Sequence, residues 1–79
     1  MKLTKIIAEN VRGFREAQGF TRAEFAKRAG FHLNYLGAVE RGEKNITVET
    51  LERVGSVLGI DPQILLISGA SKWGKRKFN

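Results

Sequence analysis

Phe20–Ile46 reads FTRAEFAKRAGFHLNYLGAVERGEKNI, and this stretch decides the fold. It opens with a complete helix start. Thr21 and Glu24 stand at capping-box spacing, so each side chain can satisfy the other residue's orphan backbone N–H. Phe20 and Phe25 occupy the two ends of a hydrophobic staple, one just before the helix and one just inside it. The helix is short because Gly30 soon follows, and glycine readily takes the left-handed conformation that closes a helix. A second helix runs from Leu33 to about Arg41 and ends at Gly42.

Phe25, Ala26 and Ala29 face inward from the first of these helices. Phe31, Leu36 and Val39 complete the wedge between the two. A small residue at position 26 permits a close crossing, and the left-handed turn at Gly30 sets a sharp angle. Arg22 to Arg41 therefore has the internal pattern of a helix-turn-helix.

The flanking segments are helical too. Before the motif, Ile7, Val11, Phe14 and Gln18 fall on one stripe of a helix from Thr4 to Gln18. After it, a helix starts behind Thr47 as N-cap and stops before Gly59. A fifth begins with Asp61 as N-cap and Pro62 at the first helical position, where a missing N–H is harmless, and ends near Ser68. Gly19, Gly30, Gly42, Gly59 and Gly69 are the expected helix closers. No segment alternates with period two. The expectation is an all-α, compact five-helix domain without a sheet. Gly13, Gly37 and Gly55 fall inside helices, where each costs about 1 kcal/mol relative to Ala. Close helix packing or close approach of a ligand is the expected reason.

Composition narrows the function. The 79 residues include 14 Lys+Arg, 8 Asp+Glu, one His and no Cys, for a net charge of +6. That length fits one domain, and a chain this small buries only about 60% of its unfolded surface. A thin core with no disulfide suggests self-association. One imidazole (His32) without cysteine makes neither a metal site nor a catalytic triad, so no enzyme, metal or cofactor is expected. No apolar run approaches a membrane span, so a cytoplasmic protein without a membrane partner is the reading. No small-molecule pocket is evident. Gly69-Ala-Ser-Lys-Trp-Gly-Lys75 nearly spells a phosphate-binding loop, but Arg76 stands where Ser or Thr is required, and the match is chance. Residues 71–79 hold Lys72, Lys75, Arg76 and Lys77 with Trp73 and Phe78 interleaved, and no acid. Residues 1–70 are read as the domain and 71–79 as a basic, flexible tail able to contact phosphates.

On a helical wheel, Leu36 and Val39 define the buried side of the helix from Leu33. The opposite side holds Asn34, Arg41, Ala38 and Gly37, flanked by Leu33 and Tyr35. Small residues let a helix backbone sit deep against base-pair edges. An amide can pair with adenine, and apolar groups can meet thymine methyls.

At this point the residues resemble a known family. Phe20 to Ile46 is similar to the phage-repressor class of helix-turn-helix domains (Cro/cI, or XRE, family; lambda-repressor-like), over about residues 5 to 67. Tyr35-Leu-Gly-Ala-Val-Glu-Arg-Gly42 with Lys44-Asn45 is most similar to controller proteins of restriction–modification systems. The resemblance implies base contacts from His32, Leu33, Asn34, Tyr35, Gly37 and Ala38. It implies phosphate contacts from Arg22, Lys44 and Asn45, and Arg41, basic and groove-facing on the wheel, is read as a phosphate contact with them. It also implies an ion pair between Arg15 and Glu40. Two positions depart from the family pattern: His32 is a poor cap, and Leu33 cannot hydrogen-bond a base.

Ile64, Leu65, Leu66 and Ile67 form an apolar run too wide for one core-facing side, and are read as a twofold dimer interface. The expected function is that of a homodimeric, sequence-specific regulator on a pseudo-palindromic operator of double-stranded DNA. Bound there, it blocks RNA polymerase or touches it, and by resemblance controls its own gene. The alternatives are a prophage repressor, the antitoxin of a toxin–antitoxin pair, or a protein-interaction module of the same fold.

Overall fold

The computed structural model describes residues 2–72. Helix α1, Lys2–Ala17, starts two residues before the expected boundary and buries Ile7, Ala8, Val11 and Phe14 along one stripe. Gln18 lies just past its end, and its Nε2 donates to the Leu58 carbonyl at 2.8 Å. Helix α2, Arg22–Ala29, begins with the capping box. Glu24 N–H donates to Thr21 Oγ1 at 3.1 Å, and Thr21 N–H donates to Glu24 Oε1 at 2.8 Å. The Thr21 backbone N–H first, and the Thr21 hydroxyl second, hold the Glu24 carboxyl below its usual pKa range. Phe20 meets Phe25 edge-on at 5.9 Å, closing the staple. At Gly30, φ of 76° turns the chain, and the Phe31 N–H reaches back to the Ala26 carbonyl at 2.8 Å.

Helix α3, Leu33–Glu40, has His32 at its N-cap without a side-chain capping bond. Helix α4, Val48–Leu58, is capped by Thr47, whose hydroxyl accepts from Thr50 N–H at 3.1 Å. Among the described residues, the positive-φ glycines are the five expected closers, 19, 30, 42, 59 and 69.

The fifth helix differs from expectation. Pro62–Leu66 is a 3-10 helix, not an α-helix reaching Ser68. The segment is tied to a residue 55 positions away in the chain. Asn10, 1% exposed, donates from Nδ2 to the carbonyls of Leu65 at 2.9 Å and Ile67 at 2.8 Å. Its Oδ1 accepts from Ser71 N–H at 3.1 Å. In a continuing α-helix those carbonyls would accept from backbone N–H groups four residues on. Here the Asn10 amide bonds to both, the Ile67 carbonyl also accepting from Ala70 N–H at 3.1 Å, and ties the C-terminal segment across α1. The sequence reading passed over Asn10, because a single polar residue on a helix face carries no mark of burial.

The same segment revises the expected tail boundary. Ala70 is fully buried, and residues 70–72 are helical. A Cβ on Gly13 would overlap the Ser71 side chain, which explains that glycine. Residues 71 and 72, expected in the tail, are thus helical. Residues 73–79, with Lys75, Arg76 and Lys77, lie outside the described residues. The core gathers Val11, Phe14, Phe25, Leu36, Val54 and Leu65, each at most 2% exposed. Gly55 sits where α4 meets the 3-10 helix, with a Cβ position 2.9 Å from the Ile60 carbonyl oxygen.

Candidate nucleic-acid interface

Helix α3 spans only two turns and packs against both α1 and α2. Two neighbours bury a wider arc than Leu36 and Val39 alone define. Ala38, expected at the base-reading surface, is 7% exposed and belongs to the core side. Tyr35 is half-buried, its ring edge-on to Phe31 at 5.3 Å. At 100° per residue, an inner arc of Leu36, Val39 and Ala38 centres the outward face on Gly37. Leu33, Asn34, Gly37 and Arg41 of that face join Arg22 and Ala23 of α2 around one open depression. Leu33 is half-exposed, and His32 is exposed at the head of the helix. Ala23 was missing from the sequence reading, because only the Gly30 turn brings the first turn of α2 beside α3.

Gly37 differs from the other two helical glycines. A Cβ there would meet only Arg41 Nη1, at 3.2 Å. No backbone or core atom requires its small size, and what overlies the main chain there is the Arg41 guanidinium.

The charges around this face are organised. Arg15 donates from Nε to Glu40 Oε2 at 2.6 Å, from Nη2 to Glu40 Oε1 at 3.1 Å, and from Nη1 to the Phe20 carbonyl at 2.8 Å. The Arg15 and Glu40 side chains are 7% and 3% exposed. The hydrogen bonds donated to Glu40 raise the Arg15 pKa above its ordinary value, against the effect of burial. Arg22 approaches the same carboxylate from the solvent side, its Nε 3.4 Å from Glu40 Oε1. One buried carboxylate thus bridges a core guanidinium and a surface one. Arg41 pairs with Glu43 through two bonds of 3.0 and 3.1 Å. These bonds raise the Arg41 pKa and lower that of Glu43. Lys44 and Asn45 are exposed in the loop after α3, with Asn45 edging a separate apolar groove beside Leu3, Ile7 and Ile46. Lys72 is exposed.

The expected dimer patch is divided. Leu65 is fully buried in the core and cannot face a partner, and Ile64 is half-buried against that core. Leu66 and Ile67 are exposed. Leu66 lines an apolar groove with Val48, Leu51 and Pro62, and Val48 is 72% exposed. An apolar residue directly after the Thr47 N-cap is the signal in the sequence that points to Val48. Among the described residues no helix is long and apolar enough to cross a membrane, and no cluster of three metal-ligating side chains occurs.

Known proteins resemble this chain over most of its length. The helix-turn-helix family profile matches residues 11–65. Control protein C.SmaI of Serratia marcescens is 36% identical over 70 residues, which cover 87% of this chain and 83% of that one. The crystal structure of the restriction–modification controller protein C.AhdI from Aeromonas hydrophila superposes with a TM-score of 0.78 at 26% identity, covering 82% of this chain and 98% of that one. SinR, a master regulator for biofilm formation crystallised in complex with DNA, gives 0.74 at 31% identity, covering 77% of this chain and 98% of that one.

Proposed function

Because this chain belongs to the helix-turn-helix family of DNA-binding transcriptional regulators, we propose that it is a controller-type, homodimeric reader of a pseudo-palindromic operator. The observation that carries the reading is the outward face of α3. An amide, an apolar side chain and a glycine line one depression together with the cations of Arg22 and Arg41. Such a face fits the major groove, where small residues allow close approach to base edges.

In this reading Asn34 pairs with adenine and Leu33 packs on a thymine methyl, with His32 at the edge of the groove. Arg22, Lys44 and Asn45 hold phosphates and set the register. Arg22 is already oriented by Glu40, which reduces the ordering needed on binding. Lys72 and the basic residues after it add charge to that grip. Leu66, Ile67, Val48 and Leu51 form the twofold contact. Two such readers place half-sites about 34 Å apart, one turn of DNA. An occupied operator excludes RNA polymerase or presents the dimer to it, and a site before the chain's own gene makes the control self-acting. Likeness to C.SmaI and C.AhdI supports the controller class over a prophage repressor or an antitoxin.

Selection of bound sequences from a random duplex pool tests the reading. The expected result is a paired motif with one-turn spacing. Failure to enrich any sequence, at low salt as well as high, would favour the protein-interaction module. For the dimer, sedimentation at tens of micromolar should show two chains.

A further inference from the structure

Arg41 ends α3, where a phosphate contact was expected from the sequence. Its geometry is that of a more constrained group. Nε donates to Glu43 Oε2 at 3.0 Å and Nη2 to Glu43 Oε1 at 3.1 Å, two parallel bonds along one edge of the guanidinium. This pairing orients the plane and leaves the other edge, Nη1 and the second proton of Nη2, unused by Glu43. Nη1 lies against Gly37, within 3.2 Å of where a Cβ would stand. The guanidinium therefore rests over the outward centre of α3, on the wall of the depression that also holds Leu33 and Asn34.

A phosphate contact requires none of this. A flexible cation at the rim, such as Lys44, reaches a DNA backbone without a buttress. A flat edge with two donors held over a groove-facing helix matches two acceptors side by side. In the major groove that pair is N7 and O6 of guanine. Adenine offers one acceptor beside a donor, and cytosine offers a donor.

We propose that Arg41 is a specificity-determining residue that reads one guanine per half-site through Nη1 and Nη2, with Glu43 as its positioning residue and Gly37 as its seat. The inference rests on the DNA-binding reading above. It accounts for a helical glycine that no protein packing requires and for the acidic Glu43 beside a DNA-facing surface.

The test uses the full-length chain and the operator selected from the random pool. Affinity is measured for that operator and for each of its single-base-pair substitutions, over a salt series. The proteins are wild type, Arg41→Ala, Arg41→Lys, Glu43→Gln and Gly37→Ala, each checked for folding by circular dichroism. Wild type should lose about 5- to 150-fold in affinity when one particular G·C pair per half-site is replaced, the range of a good two-pronged base contact. Arg41→Ala and Arg41→Lys should lose that preference and keep the preferences at other positions. Glu43→Gln should blur it at an unchanged salt slope. Gly37→Ala should fold at least as stably, since alanine favours a helix, yet blur it too by displacing Nη1. The proposal is overturned if wild type selects an operator without a required guanine. It is equally overturned if Arg41→Ala weakens all sites alike and lowers the salt slope by about one phosphate, the behaviour of a backbone contact. A wild type that binds no DNA would remove the underlying reading instead, an outcome distinct from both.

Discussion

Replacing Glu40 by alanine should be among the most destabilising single changes in this chain. Its carboxylate is 3% exposed and accepts two bonds from Arg15, itself 7% exposed. The variant would leave the Arg15 guanidinium inside the protein with the Phe20 carbonyl at 2.8 Å and only a distant Glu16 oxygen at 3.8 Å. Breaking a buried pair by removing one partner costs about 3–5 kcal/mol, mostly the penalty of an uncompensated buried charge. The Arg22 contact adds little, because the Arg22 side chain is half-exposed and a pair with a solvated partner is worth about 0–1 kcal/mol. Domains are stable by only about 5–15 kcal/mol, so the loss is a large share of the total. At about 4–8 °C per kcal/mol for a domain this small, even the low end lowers Tm by roughly 12 °C. Thermal unfolding followed by circular dichroism at 222 nm reads this directly. The drop should barely change with added salt, since buried charges are weakly screened. Replacing both partners with apolar residues of similar volume, Arg15→Met with Glu40→Leu, should recover most of the loss. A shift of one or two degrees for Glu40→Ala, or no recovery in the double variant, would show that the pair does not carry this energy.

Other outcomes follow from single contacts. Gly55→Ala should destabilise by about 1–3 kcal/mol, because its Cβ would crowd the Ile60 carbonyl and the Pro62 ring; a raised melting temperature would contradict that packing. The Glu24 carboxyl is held below its usual value of 4.5 in the folded chain, so it adds stability above that pH and loses it as pH falls through the lowered value. Glu24→Gln should therefore flatten the acid limb of a Tm–pH profile, and superimposable wild-type and variant profiles would rule out the contribution. Leu66→Glu, placed in the apolar groove beside Val48 and Leu51, should convert the sedimenting species to a monomer while the far-UV spectrum stays helical. An unchanged dimer would move the twofold contact elsewhere.

Helix starts and stops were legible in the sequence because they are local chemistry. The Thr21–Glu24 box, the Thr47 cap and the left-handed glycines each act within a few residues, and each lies where the residues placed it. The helix-turn-helix wedge followed because Phe25, Ala26, Gly30 and Leu36 lie within one short stretch. The outline of the candidate site came with it, since Arg22, Leu33, Asn34, Gly37 and Arg41 share that stretch.

What tertiary structure alone decided depends on groups far apart in the chain. Ala38 faces inward because α1 and α2 both press on α3, and a single wheel cannot count its neighbours. Leu65 fills the core while Leu66 and Ile67 stay outside. Asn10, from the first helix, bonds to the carbonyls of Leu65 and Ile67 and holds the 3-10 segment across α1. Arg22 reaches Glu40 only after the turn at Gly30 brings α2 alongside the end of α3. Capping is written within four residues, but burial and pairing across elements are settled by which surfaces meet.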